Sequence, residues 1–326
     1  METATLTLPK TPDRKISKKR RWIKRISILL LTLFLLYAPL PYLLRGPSEI
    51  SPPIETVLLN PAGVALAPPH PQLLTVMTLN LAHGRKDKEH QALLSKEEIE
   101  ENLKDIAEVF KRENPDVVAL QEADGPSIWS GKFNHVEYLA QKASFNYWVR
   151  GEHVKKFDLS YGTALLSKWP LSNTLAVTFA LSWPTPPKGF TVSTITLPTD
   201  PPFEADFVSV HLDFSRESLR KKQIQEIIQH LQSRNRPLIV MGDFNNSWAL
   251  DENKTAVQQL AEKLNLKAYQ PILIGHETHP TTKKFLLPPK RMDWILISDH
   301  FQFSEYKTLS DLLSDHRAVV AVLERK

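Results

Sequence analysis

The sequence predicts an α/β fold. Short apolar runs rich in β-branched residues recur along the chain, and capped, amphipathic helical stretches fall between several of them. The runs also tend to deliver a polar side chain at one end. The clearest case is IVMGDFNNS, residues 239–247, where an apolar run from Pro237 to Met241 reaches Gly242, Asp243 and Asn245. Alternation along an extended backbone places Asp243 and Asn245 on one face and Phe244 on the other.

The hydrophobic content of 42% over 326 residues supports a substantial core. There are no cysteines, which excludes disulfides and thiolate metal sites. The net charge of +5 comes from the N-terminal segment, because residues 46–326 carry 31 basic and 34 acidic side chains. A slightly acidic body argues against avid, nonspecific nucleic-acid binding. Residues 1–25 read as a basic tail ending in KKRRWIKR, followed by 19 uncharged residues, 26–44. That length and the basic flank predict a transmembrane signal-anchor with a cytoplasmic N-terminus and an extracytoplasmic body. The proline-free part, 26–38, also has the length of a cleaved signal-peptide core. Residues 45–71 read as a Pro-rich linker, with seven prolines in 46–71, and 72–326 as the catalytic domain.

Within that domain LLTVMTLN (73–80) reads as a strand ending in Asn80. A helix follows, with Ser95 and Glu98 as a capping box and Ile99, Leu103, Ile106, Val109 and Phe110 on one face. Asn114-Pro115 ends it, and DVVAL (116–120) is a buried strand delivering Gln121 and Glu122. Strands are expected over 161–171, 174–181, 190–197 and 206–214, the last bearing His211 and Asp213. Ser215 is expected to cap the next helix, whose inner face is Leu219, Ile224, Ile227, Ile228 and Leu231, with 216–222 as a solvated face. After 237–241 come a short helix over 255–264, a strand over 291–298 with Asp293 near its start, and a closing strand preceded by Asp315 and His316.

Asn80, Glu122, His211, Asp243, Asn245, Asp293, Asp315 and His316 thus share one arrangement, a polar group at a strand end. Hydrolysis of a phosphate ester uses such a set. A hard divalent cation takes oxygen ligands, for which Glu122 is the first candidate, with Asn80 and Asp315 near it. Mg²⁺ is the expected ion and Mn²⁺ the alternative. A carboxylate must orient and deprotonate the attacking water, which suits Asp243. A histidine must meet the charge on the phosphorus centre or help the leaving group, which suits His316, with Asp293 holding its tautomer.

TLNLAHG (78–84), DVVALQEAD (116–124), YGTALLSKWPL (161–171), VSVHLDF (208–214), MGDFNNS (241–247), RMDWILIS (291–298) and SDHRAVV (314–320) together resemble the endonuclease/exonuclease/phosphatase superfamily over nearly the whole body. The resemblance implies a four-layer α/β/β/α sandwich of two mixed sheets. It implies Glu122 as metal ligand with Asn80 and Asp315, Asp243 and Asn245 aligning water and phosphate, and an Asp293–His316 pair. His211 stands where many members place a histidine near the phosphate, which favours the deoxyribonuclease, sphingomyelinase and phosphatase branches over DNA repair. The expected substrate is a lipid headgroup or small phosphodiester, with a nuclease acting on polynucleotide or a phosphomonoesterase as alternatives, and a non-catalytic scaffold as the contrasting class. Trp129 and Trp183 are candidates for an apolar surface beside the site, and Lys283, Lys284, Lys290 and Arg291 for a basic one; His276 and His279 read as loop residues. Residues 26–44 imply a membrane as partner, and no segment points to a protein partner.

Overall fold

A computed structural model describes residues 18–37, 48–51, 53–57, 73–88, 90–182, 184–250, 252–272, 274–279 and 288–326. The chain divides into two units, Met1–Arg45 and Gly46–Lys326.

In the first unit, helix α1 covers Lys18–Tyr37. The transmembrane helix expected over 26–44 is not borne out. The helix begins inside the basic cluster, and its uncharged part, 26–37, rises only about 18 Å at 1.5 Å per residue. A bilayer core needs about 30 Å. Among the described residues no helix is long and apolar enough to cross a membrane. Residues 38–44 lie outside the described residues.

Among its described residues the second unit holds fourteen strands in two seven-stranded mixed sheets. The first runs β1(Glu49–Ser51), β7(Leu171–Thr178), β8(Gly189–Leu197), β9(Phe203–His211), β10(Leu238–Asp243), β12(Asp293–Ser298), β11(Leu266–Ala268). The second runs β13(Phe301–Thr308), β14(Val319–Arg325), β3(Leu73–Asn80), β4(Val117–Asp124), β6(Leu159–Ser167), β5(Tyr147–Lys156), β2(Ile54–Val57). Inside the stretch expected to be linker, β1 pairs with β7 and β2 with β5, so part of it edges both sheets.

Each sheet contains one parallel pair joined by a helical crossover. Helix α2(Lys96–Glu113) links β3 to β4, and α4(Glu217–Gln232) links β9 to β10. The crossovers, with α3(His135–Lys142) and α5(Ala256–Lys263), lie on the outer faces. The strands between are therefore buried on both sides, which is why they read as continuous apolar runs. Leu74 and Val76 of β3 face the inter-sheet core while Met77 and Leu79 face α2 and α3. Ile239 and Met241 of β10 face the same inter-sheet core, and Leu238 and Val240 pack under α4 and α5. The result is the four-layer α/β/β/α sandwich that was expected.

Ser95 and Glu98 form the reciprocal capping box of α2, whose buried face is the one expected, and Asn114 ends the helix in the left-handed region. Ser215 does not cap α4. Arg216 holds the N-cap position without a side-chain cap, and Asp213 Oδ1 instead accepts from Ser215 N, Ser215 Oγ and Arg216 N in the turn ahead of the helix. Within the face expected to be solvated, Arg220 is buried and donates to Glu217 and to the Asp213 carbonyl.

Register brings the polar strand ends to one edge. Asp243 is the partner of His211 across β9–β10 and of Asp293 across β10–β12. Gly242, just before it, has φ +145°, and an added Cβ there would run into the Val210 carbonyl. Gly242→Ala should therefore destabilise the fold by about 2 kcal/mol or more, read from urea unfolding. A change within the scatter of surface substitutions would show that the strand does not need a glycine here.

Candidate active site

The edge opens into a cavity of about 360 Å³ whose lining includes Asn80, Glu122, His211, Asp243, Asn245, Asp315 and His316. Seven of the eight side chains singled out from sequence thus meet in one place, and Asp293 lies directly beneath, fully buried.

Asp243 is the hub. Its Oδ1 accepts from the Asn245 backbone N–H at 2.8 Å. Its Oδ2 accepts from Asn80 Nδ2 at 3.1 Å and from Asn245 Nδ2 at 3.2 Å. The Asn80 contact joins the end of β3 in one sheet to the end of β10 in the other. Asn245 adopts φ 49°, so a turn rather than strand alternation brings it alongside Asp243. Two imidazoles face Oδ2: His211 Nε2 at 3.4 Å and His316 Nε2 at 3.8 Å. Burial raises the Asp243 pKa, His316 opposes this, and Asp293 adds to it, leaving it at about 7.

His316 Nδ1 lies 2.8 Å from Asp293 Oδ2. Burial alone would lower the pKa of the imidazole. Asp293 and Asp243 reverse that and raise it to about 10. His211 is held neutral, its pKa pushed well below the ordinary value by burial and by Lys188. Lys188 Nζ stands 3.4 Å from His211 Nδ1. An ammonium only donates, so Nδ1 is the acceptor and Nε2–H points at Asp243.

Glu122 sits at a bulge where β4 shifts register against β6, with φ 48°. The bulge turns its carboxylate into the cavity while Gln121 points between the sheets to donate to Ser209. Three nitrogen groups face it: His83 Nε2 at 3.4 Å, Lys188 Nζ at 3.5 Å and Arg85 at 3.8 Å. Burial would raise the Glu122 pKa, but His83, Lys188, His211 and Arg85 hold it below the ordinary carboxylate range. An ionised carboxylate whose one hydrogen bond from these groups is a long one, from Lys188 Nζ at 3.5 Å, fits a divalent ion. Glu122 and Asn80 both line the cavity and offer oxygen donors, Asn80 Oδ1 also accepting from Ala82 N–H at 3.0 Å. Asp315 is held by Arg85, which reaches both carboxylates. A second acidic group, Asp243, Asp293 and His316, also brings three ligand atoms within 4.8 Å of one another. Both Asp243 oxygens and Asp293 Oδ2 take the hydrogen bonds just described while Asp293 Oδ1 has no partner, and we read the group as an acid–base unit.

Several residues of the site escaped the sequence reading. Lys188 and Arg85 carry positive charge beside Glu122 and His83 faces it, and Tyr161 stacks at 6.1 Å on Trp129, which the sequence did single out, to form one wall. His83 lay within a stretch quoted for the family likeness and Lys188 in a Pro-rich loop. Neither spacing nor periodicity marks them. Trp129 lines the cavity, whereas Trp183, Lys283 and Lys284 lie outside the described residues. Arg291 is buried over Trp294 and Tyr306, so it offers no basic surface. His279 is more than a loop residue, its ring packing edge-on to His316 at 5.2 Å.

A two-sheet sandwich with a buried Asp243–His316 pair and an ionised carboxylate, Glu122, at one edge suits the chemistry of a metal-dependent phosphoester hydrolase. Residues 77–316 match the Endonuclease/Exonuclease/phosphatase family, and the chain belongs to it. Solved structures share the fold. A family member from Beutenbergia cavernae aligns over 78% of this chain and 72% of its own, at TM-score 0.60 and 19% identity. The human nocturnin catalytic domain aligns over 78% and 94%, at TM-score 0.55 and 19% identity. A Bacteroides thetaiotaomicron mannosyl-6-phosphatase aligns over 77% and 99%, at TM-score 0.57 and 15% identity. No curated protein sequence matches the chain.

Because Asp293 sustains the high pKa of His316, Asp293→Asn should move the His316 titration from about 10 down toward the ordinary value near 6.5. The stability supplied by protonated His316 is complete below about pH 6.5 and is lost as pH rises through about 10, so the variant should lose most below neutrality. Histidine NMR titration and pH-dependent unfolding check this. An unmoved titration would contradict it.

Proposed function

We propose that this chain hydrolyses a small phosphodiester, such as a lipid headgroup ester, by direct in-line attack of a water on phosphorus. The observation that carries the reading is Asp243, a buried carboxylate with a pKa of about 7, flanked by two amide donors and two imidazole Nε2 atoms. A general base works best with a pKa near the operating pH.

Asp243 takes the proton of the attacking water as its oxygen bonds to phosphorus and the ester P–O bond breaks. Asn80 and Asn245 fix the carboxylate, and neutral His211 presents its Nε2–H beside it. The His316 imidazolium, held by Asp293, offsets the negative charge that builds there. Lys188 and Arg85 face the departing oxygen from the Glu122 side of the cavity. Glu122 and Asn80 would hold a divalent cation, Mg²⁺ or Mn²⁺, which neutralises phosphoryl charge and activates the ester.

The cavity supports a small substrate. About 360 Å³ is at the low end of small-molecule pockets. Its wall of Trp129, Tyr161, Pro186 and the largely exposed Phe214 suits a planar or apolar leaving group. With Arg291 turned inward, the basic flank that a nuclease reading requires is weakened.

The test is hydrolysis by the full-length protein, with Mg²⁺ or Mn²⁺ and with chelator. The substrates are bis(p-nitrophenyl) phosphate, sphingomyelin, a sugar 6-phosphate and plasmid DNA. The sugar phosphate is included because the fold is shared with a mannosyl-6-phosphatase. Metal-dependent turnover of the diesters is expected, with Asp243→Ala and His316→Ala each lowering kcat by roughly 10²–10⁴-fold. Preference for DNA would move the assignment to a nuclease, and for the sugar phosphate to a phosphomonoesterase. Activity surviving both substitutions would refute the roles of these two residues. The acid limb of the kcat/KM profile should fall near pH 7 as Asp243 takes up a proton, and the alkaline limb near pH 10 as His316 loses one.

A further inference from the structure

His83 has no part in the chemistry above, yet it is built with unusual care. It is buried, and its backbone sits at φ 56°, in a turn where Ala82 and Gly84 also have positive φ. A non-glycine residue rarely adopts that conformation, and strain of this kind persists where the surroundings enforce it. The enforcing contacts are visible. The ring is wedged edge-on against Tyr161 at 4.8 Å and against Trp129 at 5.4 Å. Nδ1 lies 2.7 Å from Oδ1 of Asp124, a fully buried carboxylate.

A carboxylate only accepts, so Nδ1 carries its proton toward Asp124. The other nitrogen, Nε2, then points at Glu122 Oε2 from 3.4 Å. That is longer than an N–H···O hydrogen bond, which runs about 2.7–3.2 Å. It matches two neighbouring ligand atoms about one ion, since donors each about 2.1 Å from a metal lie about 3.4 Å from each other at the tetrahedral angle. A carboxylate hydrogen-bonded to one ring nitrogen, with the other aimed at an acidic group, is the usual second shell of a metal-bound histidine.

We propose that His83 Nε2 is a ligand of the divalent ion held by Glu122, with Asp124 fixing its tautomer. The site is then mixed nitrogen and oxygen, and it takes an imidazole-accepting ion such as Mn²⁺ in preference to Mg²⁺. The inference rests on a cation at Glu122, as in the function proposed above, and its test reads the ion's ligands without any turnover.

The experiment is electron spin-echo envelope modulation of Mn²⁺ bound to the full-length protein, with Mn²⁺ and Mg²⁺ affinities measured alongside. The wild type should show a directly bound ¹⁴N. His83→Asn is the matched variant, because asparagine tolerates a left-handed backbone. It should abolish that nitrogen signal and weaken Mn²⁺ binding by roughly 10- to 100-fold, with a smaller effect on Mg²⁺. Asp124→Asn should keep the nitrogen and weaken Mn²⁺ through the lost tautomer control. A wild type that binds Mn²⁺ without nitrogen coupling overturns the inference and leaves the phosphoesterase reading intact, whatever becomes of the variants. Coupling that persists in His83→Asn also overturns it. A wild type that binds neither ion overturns both.

Discussion

Buried charge has to be balanced, and in this protein that requirement fixes the relation between the two sheets. Three carboxylates, those of Glu122, Asp243 and Asp293, sit at one edge of the sandwich with little or no access to water. Stranding any one of them would cost several kcal/mol. Their counter-charges come from elsewhere in the fold: His316 before β14, Lys188 before β8, and Arg85 after β3. The Asn80–Asp243 hydrogen bond closes the arrangement across the inter-sheet gap. The sandwich must therefore assemble in one register for the edge to be tolerable at all.

The same balance divides labour between two carboxylates. Asp243 meets burial and another acid, Asp293, and its pKa climbs to about 7. Glu122 meets burial but is ringed by His83, Lys188, His211 and Arg85, and stays ionised. One is suited to exchanging a proton and the other to holding a cation. Environments that push two acids apart in this way separate a group that can exchange a proton from one that stays ionised.

Much of this was legible in the sequence, because strands buried on both faces leave long apolar runs and because each run announces its polar end. Asn80, Glu122, His211, Asp243 and His316 were found that way, and α2 by its Ser95–Glu98 box. What stayed hidden had no period to reveal it. Strands β5 and β13 carry mixed polar sequences, YWVRGEHVKK and FQFSEYKT, that do not stand out as apolar runs. Helix α3 is only eight residues long. His83, Arg85 and Lys188 lie in turns and loops, where tertiary contacts alone decide which side chains meet. The anchor reading finds no support in the described helix for a related reason. A window of uncharged residues measures hydropathy, but the helix that forms starts eight residues earlier, within the basic cluster.

The central claim is that water, activated by Asp243, attacks phosphorus directly with no covalent enzyme intermediate. The most direct measurement is the stereochemical course of hydrolysis of a chiral phosphorothioate diester in ¹⁸O-labelled water. Direct attack requires inversion at phosphorus, with the label in the product after one displacement. Retention would demand a double displacement through an enzyme nucleophile, and would contradict the role of Asp243 as the base that activates water.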